Sequence, residues 1–595
     1  MSQWIAGISR GHNASICLLK DGEIVFAVEE ERLSRQKYDG GPYACMVKIL
    51  EYTDKLDYLI IAHTQPDESH VEFSGGDVYS GLARKLRLID DMNKQVWHMD
   101  RWHHKMHAAC AFYRSGFESA VALVVDGAGT YIPMEINGTQ EMTWELESII
   151  NCSYPAEYKT LYKHLGGRGP WNGTIQPEFD AARENEKGTF ELCLDDSAGI
   201  VKAYEAVTRY CGWNPIEAGK TMGLFPYGEP CDKFPDIYSD GGGGKWKTAD
   251  RNLITPTYPN GAAVNEGRWE YLNDPDPVEA THDVTRLENR RNMAYAIQTE
   301  SQQMVLDLIR KAVKMSGNKN VVLSGGYGLN CVANYWYLGQ LKDEDINLYV
   351  EPISNDAGTS IGAALFAHHA INEDKKVKEY ADSLFLGPKY KYTDEEVEAI
   401  AKKYNGTIKK AFLPEDAVKL ILKGNIVTLF QGSCENGPRA LGNRSVLFDP
   451  RTEDGKAYVN SVKRREYFRP FAGTILHEYA DEWFDMRGLK ESPHMMYAMY
   501  CNEGYQEKIP AIVHVDGTCR IQTLKKEQNP IFYEMIEEFN KQTGIPILFN
   551  TSFNLGGEPL VETLDDAVKA LDTSRLEYLY CPQNDLLIEL INEKE

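Results

Sequence analysis

Two hydrophobic strands that each run straight into glycines constrain this chain more than any other feature. The segment AVALVVDGAGT, residues 120–130, and the segment NVVLSGGYGLN, residues 320–330, share that pattern. A short unbroken apolar run bounded by glycine reads as a strand buried on both faces, and such strands belong to sheets covered by helices. A third segment, SNDAGTSIGAALFAHHA at residues 354–370, is a polar turn followed by an apolar helix. This recurrence predicts an α/β fold with ligands held at strand ends. Apolar groups at 5–8, 16–19 and 24–28, separated by SRGHNAS and the turn pair Asp21-Gly22, predict the start of a sheet. A helix is expected over 102–115.

At 595 residues the chain exceeds what one hydrophobic core supports. The charged stretch 372–392 is a natural joint, and a new helix is expected near Thr393. The expected domains are 1–390 and 410–595, the second with strands at IVTLF and IPILF. The turn-rich stretch 239–261, with glycines at 241–244, reads as an excursion. No run of about 18 apolar residues appears, and the first residues lack the pattern of a signal peptide. The expectation is a soluble cytoplasmic protein without a membrane partner. Twelve scattered cysteines contain no CxxC pair, which argues against a disulfide framework or a thiolate zinc site. The formal charge of −24 repels phosphate backbones at long range but leaves room for a local basic pocket.

Within WHHKMHAACAF, His103 and His107 are spaced to share one helix face. Two imidazoles so placed bind a borderline metal, and Asp126 and Asp356, each in a turn, can add carboxylates. That set suits iron, manganese or zinc better than calcium. The alternative is a histidine cluster with two structural turn aspartates. His98 and His104 do not share the face. His12, in a Gly-His-Asn turn, suits either a general base or an ordinary hydrogen-bonded turn. Gly325, Gly326 and Gly328 permit close backbone approach, and Asn330 and Asn355 offer amides to sugar or phosphate oxygens. There is no Walker A sequence.

The later region concentrates positive charge. GSCENGPRALGNRSVLFDPR carries Arg439, Arg444 and Arg451, and VKRREYFRPFAG carries Lys463, Arg464, Arg465 and Arg469. Such a cluster can hold a triphosphate or an acyl phosphate, or it can form a salt-bridge network with nearby acids. Arg520 and Gln522 alternate on an expected strand and so share a face. NTSFN adds amides and hydroxyls, Asn550 among them.

The segments GHNAS, EEER, HHKMHAA, VVDGAGT, GKTMGLFPYG, SNDAGTS, GPRALGNRS, VKRREYFRPFA, HVDGTCRIQ and NTSFN, in this order, resemble the NodU/CmcH carbamoyltransferase family, which includes the tobramycin carbamoyltransferase. The resemblance implies a Kae1-like (actin-like ATPase) domain followed by a YrdC-like α/β domain. It implies that carbamoyl phosphate and Mg-ATP give carbamoyl-adenylate in the second domain, and that the first passes the carbamoyl group to an acceptor hydroxyl. His103, His107, Asp126 and Asp356 match metal ligands, usually for Fe(II), and His12 matches the acceptor's base. Gly325, Gly326, Asn330 and Asn355 fall in nucleotide-holding segments. Lys463, Arg469, Arg520 and Asn550 fall in the second site, with Arg439 and Arg444 assigned to cofactor binding there. Implied acceptors are sugars, antibiotics or a hydroxymethylated nucleobase, free or within nucleic acid. Large family members commonly pair, so a homodimer is one expectation. Threonylcarbamoyl transfer and a noncatalytic metal- or nucleotide-binding role stand as alternatives. The chain departs from the family pattern at Tyr467, Gly473 and Leu555-Gly556-Gly557.

Overall fold

The computed structural model describes residues 2–64, 76–136, 138–169, 174–180, 188–240, 247–257, 260–273, 284–378 and 383–590. The glycine run at 241–244 and residues 379–382 of the expected joint lie outside the described residues. The chain forms two compact units. The first comprises Met1–Val25, Gly40–Ala333 and Gln340–Ala381; the second comprises Phe26–Asp39, Asn334–Gly339 and Asp382–Glu595. Two short stretches of the expected first domain, 1–390, thus group with the second unit, which hydrophobic patterning does not signal.

Strands β1 (Trp4–Ser9), β2 (Ser15–Lys20), β3 (Glu23–Glu29), β4 (Tyr58–Ala62) and β5 (Val96–Met99) form a sheet of order β3-β2-β1-β4-β5. Strand β1 runs antiparallel to β2 and parallel to β4, and β4 runs parallel to β5. A second sheet contains β6 (Ser119–Val125), β7 (Tyr131–Ile136), β8 (Thr139–Ser153), β9 (Glu157–Gly166), β10 (Thr174–Asp180), β11 (Thr189–Asp195), β12 (Asn320–Ser324) and β13 (Asn347–Val350). Its order is β10-β11-β9-β8-β6-β12-β13, with β7 on β8. Within it, β9-β8-β6-β12-β13 repeats the first sheet. Strand β6 is antiparallel to its hairpin partner β8 and parallel to β12, and β12 is parallel to β13. This internal duplication is the topology of the actin-like ATPase fold. Both glycine-ended runs read from the sequence are central strands of the second sheet, β6 and β12.

Three helices cover the sheets where they matter here: α1 (His103–Arg114), α2 (Glu288–Ser316) and α3 (Ala357–Asn372). Every residue of α1 is buried, although five of its twelve residues are His, Lys or Arg. Its buried Arg114 pairs with the buried Glu351, Nε standing 3.2 Å from Oε2. Helix α3 packs on α1, β1 and β2. Two glycines set that spacing. A Cβ on Gly7 of β1 would stand 2.2 Å from the Ser360 carbonyl oxygen, and one on Gly362 of α3 would stand 1.9 Å from the Met106 carbonyl oxygen. Backbone meets backbone at both points, so no side chain can yield.

The second unit is a mixed α/β domain. Its strands are β14 (Thr407–Lys410), β15 (Val427–Phe430), β16 (Arg444–Phe448), β17 (Ala472–Leu476), β18 (Ala498–Tyr500), β19 (Thr518–Leu524), β20 (Ile547–Ser552), β21 (Tyr578–Cys581) and β22 (Leu586–Glu589). They form one sheet of order β14-β22-β21-β15-β16-β20-β17-β19-β18. Helix α4 (Asp394–Lys403) begins at Thr393 through a capping box with Glu396. Gly473, one of the departures, is a packing residue in β17, since a Cβ there would meet Ile512 Cδ1 at 2.6 Å. Among the described residues no helix is long and apolar enough to cross a membrane. The cysteines are free thiols, buried except for the partly exposed Cys231.

Gly362→Ala is expected to lower the unfolding free energy by about 1–3 kcal/mol, although alanine favours a helix over glycine. Urea unfolding measures this, and equal or higher stability would show that α1 and α3 have room to spare.

Candidate functional site

Helix α1 sets His103 and His107 one turn apart. Asp126 follows the last residue of β6, and Asp356 precedes the first residue of α3. The four side chains converge. His103 Nε2 lies 3.3 Å from Asp126 Oδ2 and 3.6 Å from Asp356 Oδ1. His107 Nε2 lies 3.5 Å from Asp356 Oδ1 and 4.0 Å from Asp126 Oδ2. The two Nε2 atoms are 3.2 Å apart. All four ligand atoms fall within 4.8 Å of one another. Ligands at roughly 2.0–2.2 Å from a tetrahedral ion stand roughly 3.4 Å apart, so this donor set fits a single cation. Its chemistry is borderline, two imidazoles and two carboxylates, as for iron, manganese or zinc.

Strong mutual electrostatics accompany that geometry. Burial pulls the His103 imidazole down, but the Asp356 charge and hydrogen bonds to Asp126 and Asp356 outweigh burial and raise it to about 10. Burial and the Asp356 charge push Asp126 up, yet the hydrogen bond and charge of His103 and the charge of His107 hold it below the usual carboxylate range. Asp356 is likewise held well below its range: burial opposes this, and His12 and His103 outweigh burial. His104 faces the other way, with Nδ1 2.8 Å from Ser148 Oγ, and burial lowers its imidazole to about 4.

The glycine turns work on this cluster. Gly326 donates its N–H to Asp126 Oδ1 at 3.0 Å, which leaves Oδ2 facing the histidines. Gly325 has φ +87° and sits where a Cβ would meet the Val125 carbonyl oxygen at 2.3 Å. The Asn330 amide is engaged by Gln298 of α2 and accepts the Ala333 N–H at 3.0 Å. Asn355 has a buried Oδ1 without a hydrogen-bond partner among the described residues. His12 stands at the edge, half exposed, with Nδ1 3.7 Å from Asp356 Oδ2. Below the cluster, Thr130 Oγ1 accepts the His103 N–H at 3.3 Å, and the buried Glu145 accepts the Thr130 N–H at 2.8 Å and pairs with Lys163. Sequence reasoning missed these supports. The DGAGT motif was visible, but the partner of its threonine lies on another strand.

In the second unit, the β19, β17 and β20 registers place Arg520 opposite Ala472, Thr474 opposite Gln522, and Asn550 opposite Ala472. Asn550 Nδ2 donates to the Ala440 carbonyl at 3.2 Å and to Thr474 Oγ1 at 3.0 Å, and Gln522 Nε2 donates to the Leu441 carbonyl at 3.1 Å. The GPRALG turn is therefore tied to these strands. Lys463 is buried and bonds neutral acceptors: the Ser552 carbonyl, Ser552 Oγ at 3.2 Å and Asn554 Oδ1 at 3.3 Å. Burial, with Arg465 and Arg469 nearby, holds its amine well below the usual lysine range. Arg465 is lowered by burial and then by Arg469, Arg520 and Arg439, with Glu466 the one acid among its strongest electrostatic neighbours. Arg469 Nη1 is 3.3 Å from that Glu466. Buried Asn460 clamps the loop, donating to the carbonyls of Tyr467 and Arg469, both at 3.1 Å. Cations gathered this closely are able to hold an anion.

Not every arginine of the cluster joins it. The assignment of Arg444 to cofactor binding is corrected. Its guanidinium is fully buried, stacks on Phe430 at 3.8 Å, and donates to the carbonyls of Gln431, Asn443, Gly432 and Glu562. Arg451 is spent on Asp449 at 2.7 Å, and Arg464 donates to the Thr573 carbonyl. Gly556, a second departure, donates its N–H to the Lys463 carbonyl at 2.8 Å and buttresses the lysine's loop.

With both sites described, relatives become informative. The model of the carbamoyltransferase N-terminus matches residues 77–365, and that of the carbamoyltransferase C-terminus matches residues 418–588. Nodulation protein U of Rhizobium tropici is 31% identical, with 97% of this chain and 95% of the relative covered. An uncharacterised Synechocystis protein is 29% identical over 97% and 95% of the two chains. Nodulation protein NolNO of Sinorhizobium fredii is 28% identical over 96% of this chain and 78% of its own. The chain belongs to the carbamoyltransferase family, and its activity is of the carbamoyl-transferring class.

Metal analysis of the purified protein is expected to find one first-row transition ion per chain, falling to substoichiometric levels in His107→Ala and Asp356→Ala. Unchanged metal content in both variants would exclude the four-residue cluster as its seat. At the second site, pyrophosphate is expected to raise the melting temperature more than chloride at equal ionic strength, and Lys463→Met is expected to shrink that difference.

Proposed function

We propose that the chain is an ATP-dependent O-carbamoyltransferase working in two half-reactions. The observation that carries this reading is the contrast between its sites: one unit gathers several cations around the buried Arg465, and the other gathers two imidazoles and two carboxylates around a point. A carbamoyl group is a poor electrophile because its nitrogen donates into the carbonyl. Attachment to AMP supplies a stable leaving group.

In the second unit Lys463, Arg469 and Arg520 are the catalytic groups, and Arg439 and Asn550 hold substrate. Their positive charge neutralises carbamoyl phosphate and Mg-ATP as they meet. Water cleaves carbamoyl phosphate to carbamate and phosphate. A carbamate oxygen then attacks the α-phosphorus of ATP, and pyrophosphate leaves with the bonding pair. In the first unit Gly325, Gly326 and Asn355 hold the nucleotide part, with Asn330 bracing the turn. The acceptor hydroxyl attacks the carbamoyl carbon, the bond to AMP breaks, and His12 takes the hydroxyl proton. His103, His107, Asp126 and Asp356 would hold a metal, iron(II) in this reading, which when bound screens the adenylate phosphate and polarises its oxygens.

The acceptor in this reading is a small molecule with a free hydroxyl, such as a sugar, an antibiotic or a hydroxymethylated nucleobase. The net charge of −24 disfavours a nucleic-acid polymer. A cytoplasmic homodimer resembling the tobramycin carbamoyltransferase belongs to the same reading.

Pyrophosphate release from ATP is expected to require carbamoyl phosphate and to need no acceptor. Release supported by threonine and bicarbonate instead would assign a threonylcarbamoyl donor. Absence of release in metal-replete folded protein would remove the carbamoyl-adenylate mechanism. His12→Ala is expected to leave this release intact while lowering transfer to acceptor by about 10²–10⁴.

A further inference from the structure

The loop that joins β15 to β16 carries Asn436, which is 2% exposed. Neither its Oδ1 nor its Nδ2 has a hydrogen-bond partner among the described residues. Buried side-chain amides are rarely left in that state, because the lost hydration is not replaced. The loop around Asn436 is fixed. Arg32 donates to the Gly437 carbonyl at 2.8 Å and the Glu435 carbonyl at 3.3 Å. Glu435 Oε1 accepts the N–H groups of Leu441, Asn443 and Arg444 at 2.8, 2.9 and 3.2 Å. The Asn436 N–H donates to the Leu384 carbonyl at 2.8 Å. Its amide is therefore held by a rigid backbone, and its two polar atoms are left for something else.

Further along, the same loop meets the cation cluster. Three residues on stands Arg439, a neighbour of Arg465, and the next residue, Ala440, accepts from Asn550. Two further buried atoms of the same site lack hydrogen-bond partners among the described residues, Arg465 Nε and Asn550 Oδ1. Asn550 offers only an acceptor, since its Nδ2 is used on Ala440 and Thr474. Asn436 offers a donor and an acceptor side by side. A carbamoyl group, an amino group bonded to a carbonyl carbon, presents the complementary pair. Two primary amides meeting edge to edge form two parallel hydrogen bonds, whereas an acetyl group has a methyl where the second must form.

We propose that Asn436 recognises the carbamoyl amide in the second unit and sets selectivity for carbamoyl over acetyl donors. The inference rests on the adenylate-forming reading above, because it assigns the cations to the phosphates and Asn436 to the group they do not distinguish. Selection of this kind is effective because a site built to hydrogen-bond an N–H leaves its own polar atoms stranded when the analogue lacks it.

The test is pyrophosphate release from Mg-ATP, with carbamoyl phosphate or acetyl phosphate as the donor, for the full-length wild type, Asn436→Leu and Asn436→Gln. For Asn436→Leu the expected result is a KM for carbamoyl phosphate raised roughly ten- to hundredfold. The KM for ATP should be nearly unchanged, and the preference for carbamoyl over acetyl phosphate should fall by a similar factor. The ligand-free protein should melt no lower than wild type, since an unsatisfied amide has been replaced by a side chain of similar size. Asn436→Gln keeps the amide and is expected to retain part of the preference. A lower melting temperature in Asn436→Leu with unchanged donor preference would overturn the proposal, because the amide would then serve the fold through bound water. Carbamoyl-phosphate-independent behaviour of the wild type would remove the underlying reading and the proposal with it, and is told apart from the previous outcome by the wild-type control.

Discussion

The backbone contact between α1 and α3 is the constraint on which the first site depends. Asp356 is more than two hundred residues from His103 and His107 in the sequence, yet its carboxylate reaches both rings. That reach requires α3 to lie against α1 and β1 with no side chain between. Gly362 and Gly7 supply the space, and a methyl group at either position would overlap a carbonyl oxygen. The energy of this packing comes from apolar burial along two helices with almost no exposed surface. Its consequence is electrostatic, since two carboxylates and two imidazoles are forced into a volume where charge must be shared among them or with a cation.

The second unit faces the opposite problem. Lys463 and Arg465 are buried near other cations, which is unfavourable by itself. The fold tolerates this because it fixes the surrounding backbone by other means. Arg444 draws together the carbonyls of several loop residues, Glu435 gathers three N–H groups, and Asn460 clamps the strap between Lys463 and Arg469. A scaffold held by its own buried polar network can leave functional side chains unsatisfied.

Arg444 shows why a motif is a weaker statement than a site. In sequence it is one of seven basic residues in two adjacent segments, indistinguishable from Arg439 or Arg469. In the fold its strand position turns the guanidinium inward onto carbonyls, while Arg439 stays with the cations. The glycines at 325 and 326 show a related point. They read as ligand-approach residues, and Gly326 also aims a carboxylate of the histidine cluster.

The sequence by itself determined the fold class, the helix bearing His103 and His107, the strands leading to Asp126 and Gly325, and the concentration of basic residues after 430. Each is a local property: periodicity, the placement of glycine and the spacing of side chains along one element are written within a few residues. It determined the four members of the histidine–carboxylate cluster only as compatible chemistry. Tertiary structure alone decided that Asp126 and Asp356 converge on the two imidazoles, that Arg444 is scaffold, that Arg465 is buried among cations, and that the amide of Asn436 has no partner among the described residues. It also decided the duplicated sheet order, which leaves no short repeat in the residues because many apolar sequences satisfy the same strand pairing. These outcomes depend on distances between elements far apart in the chain, and those distances are fixed by packing that no local pattern records.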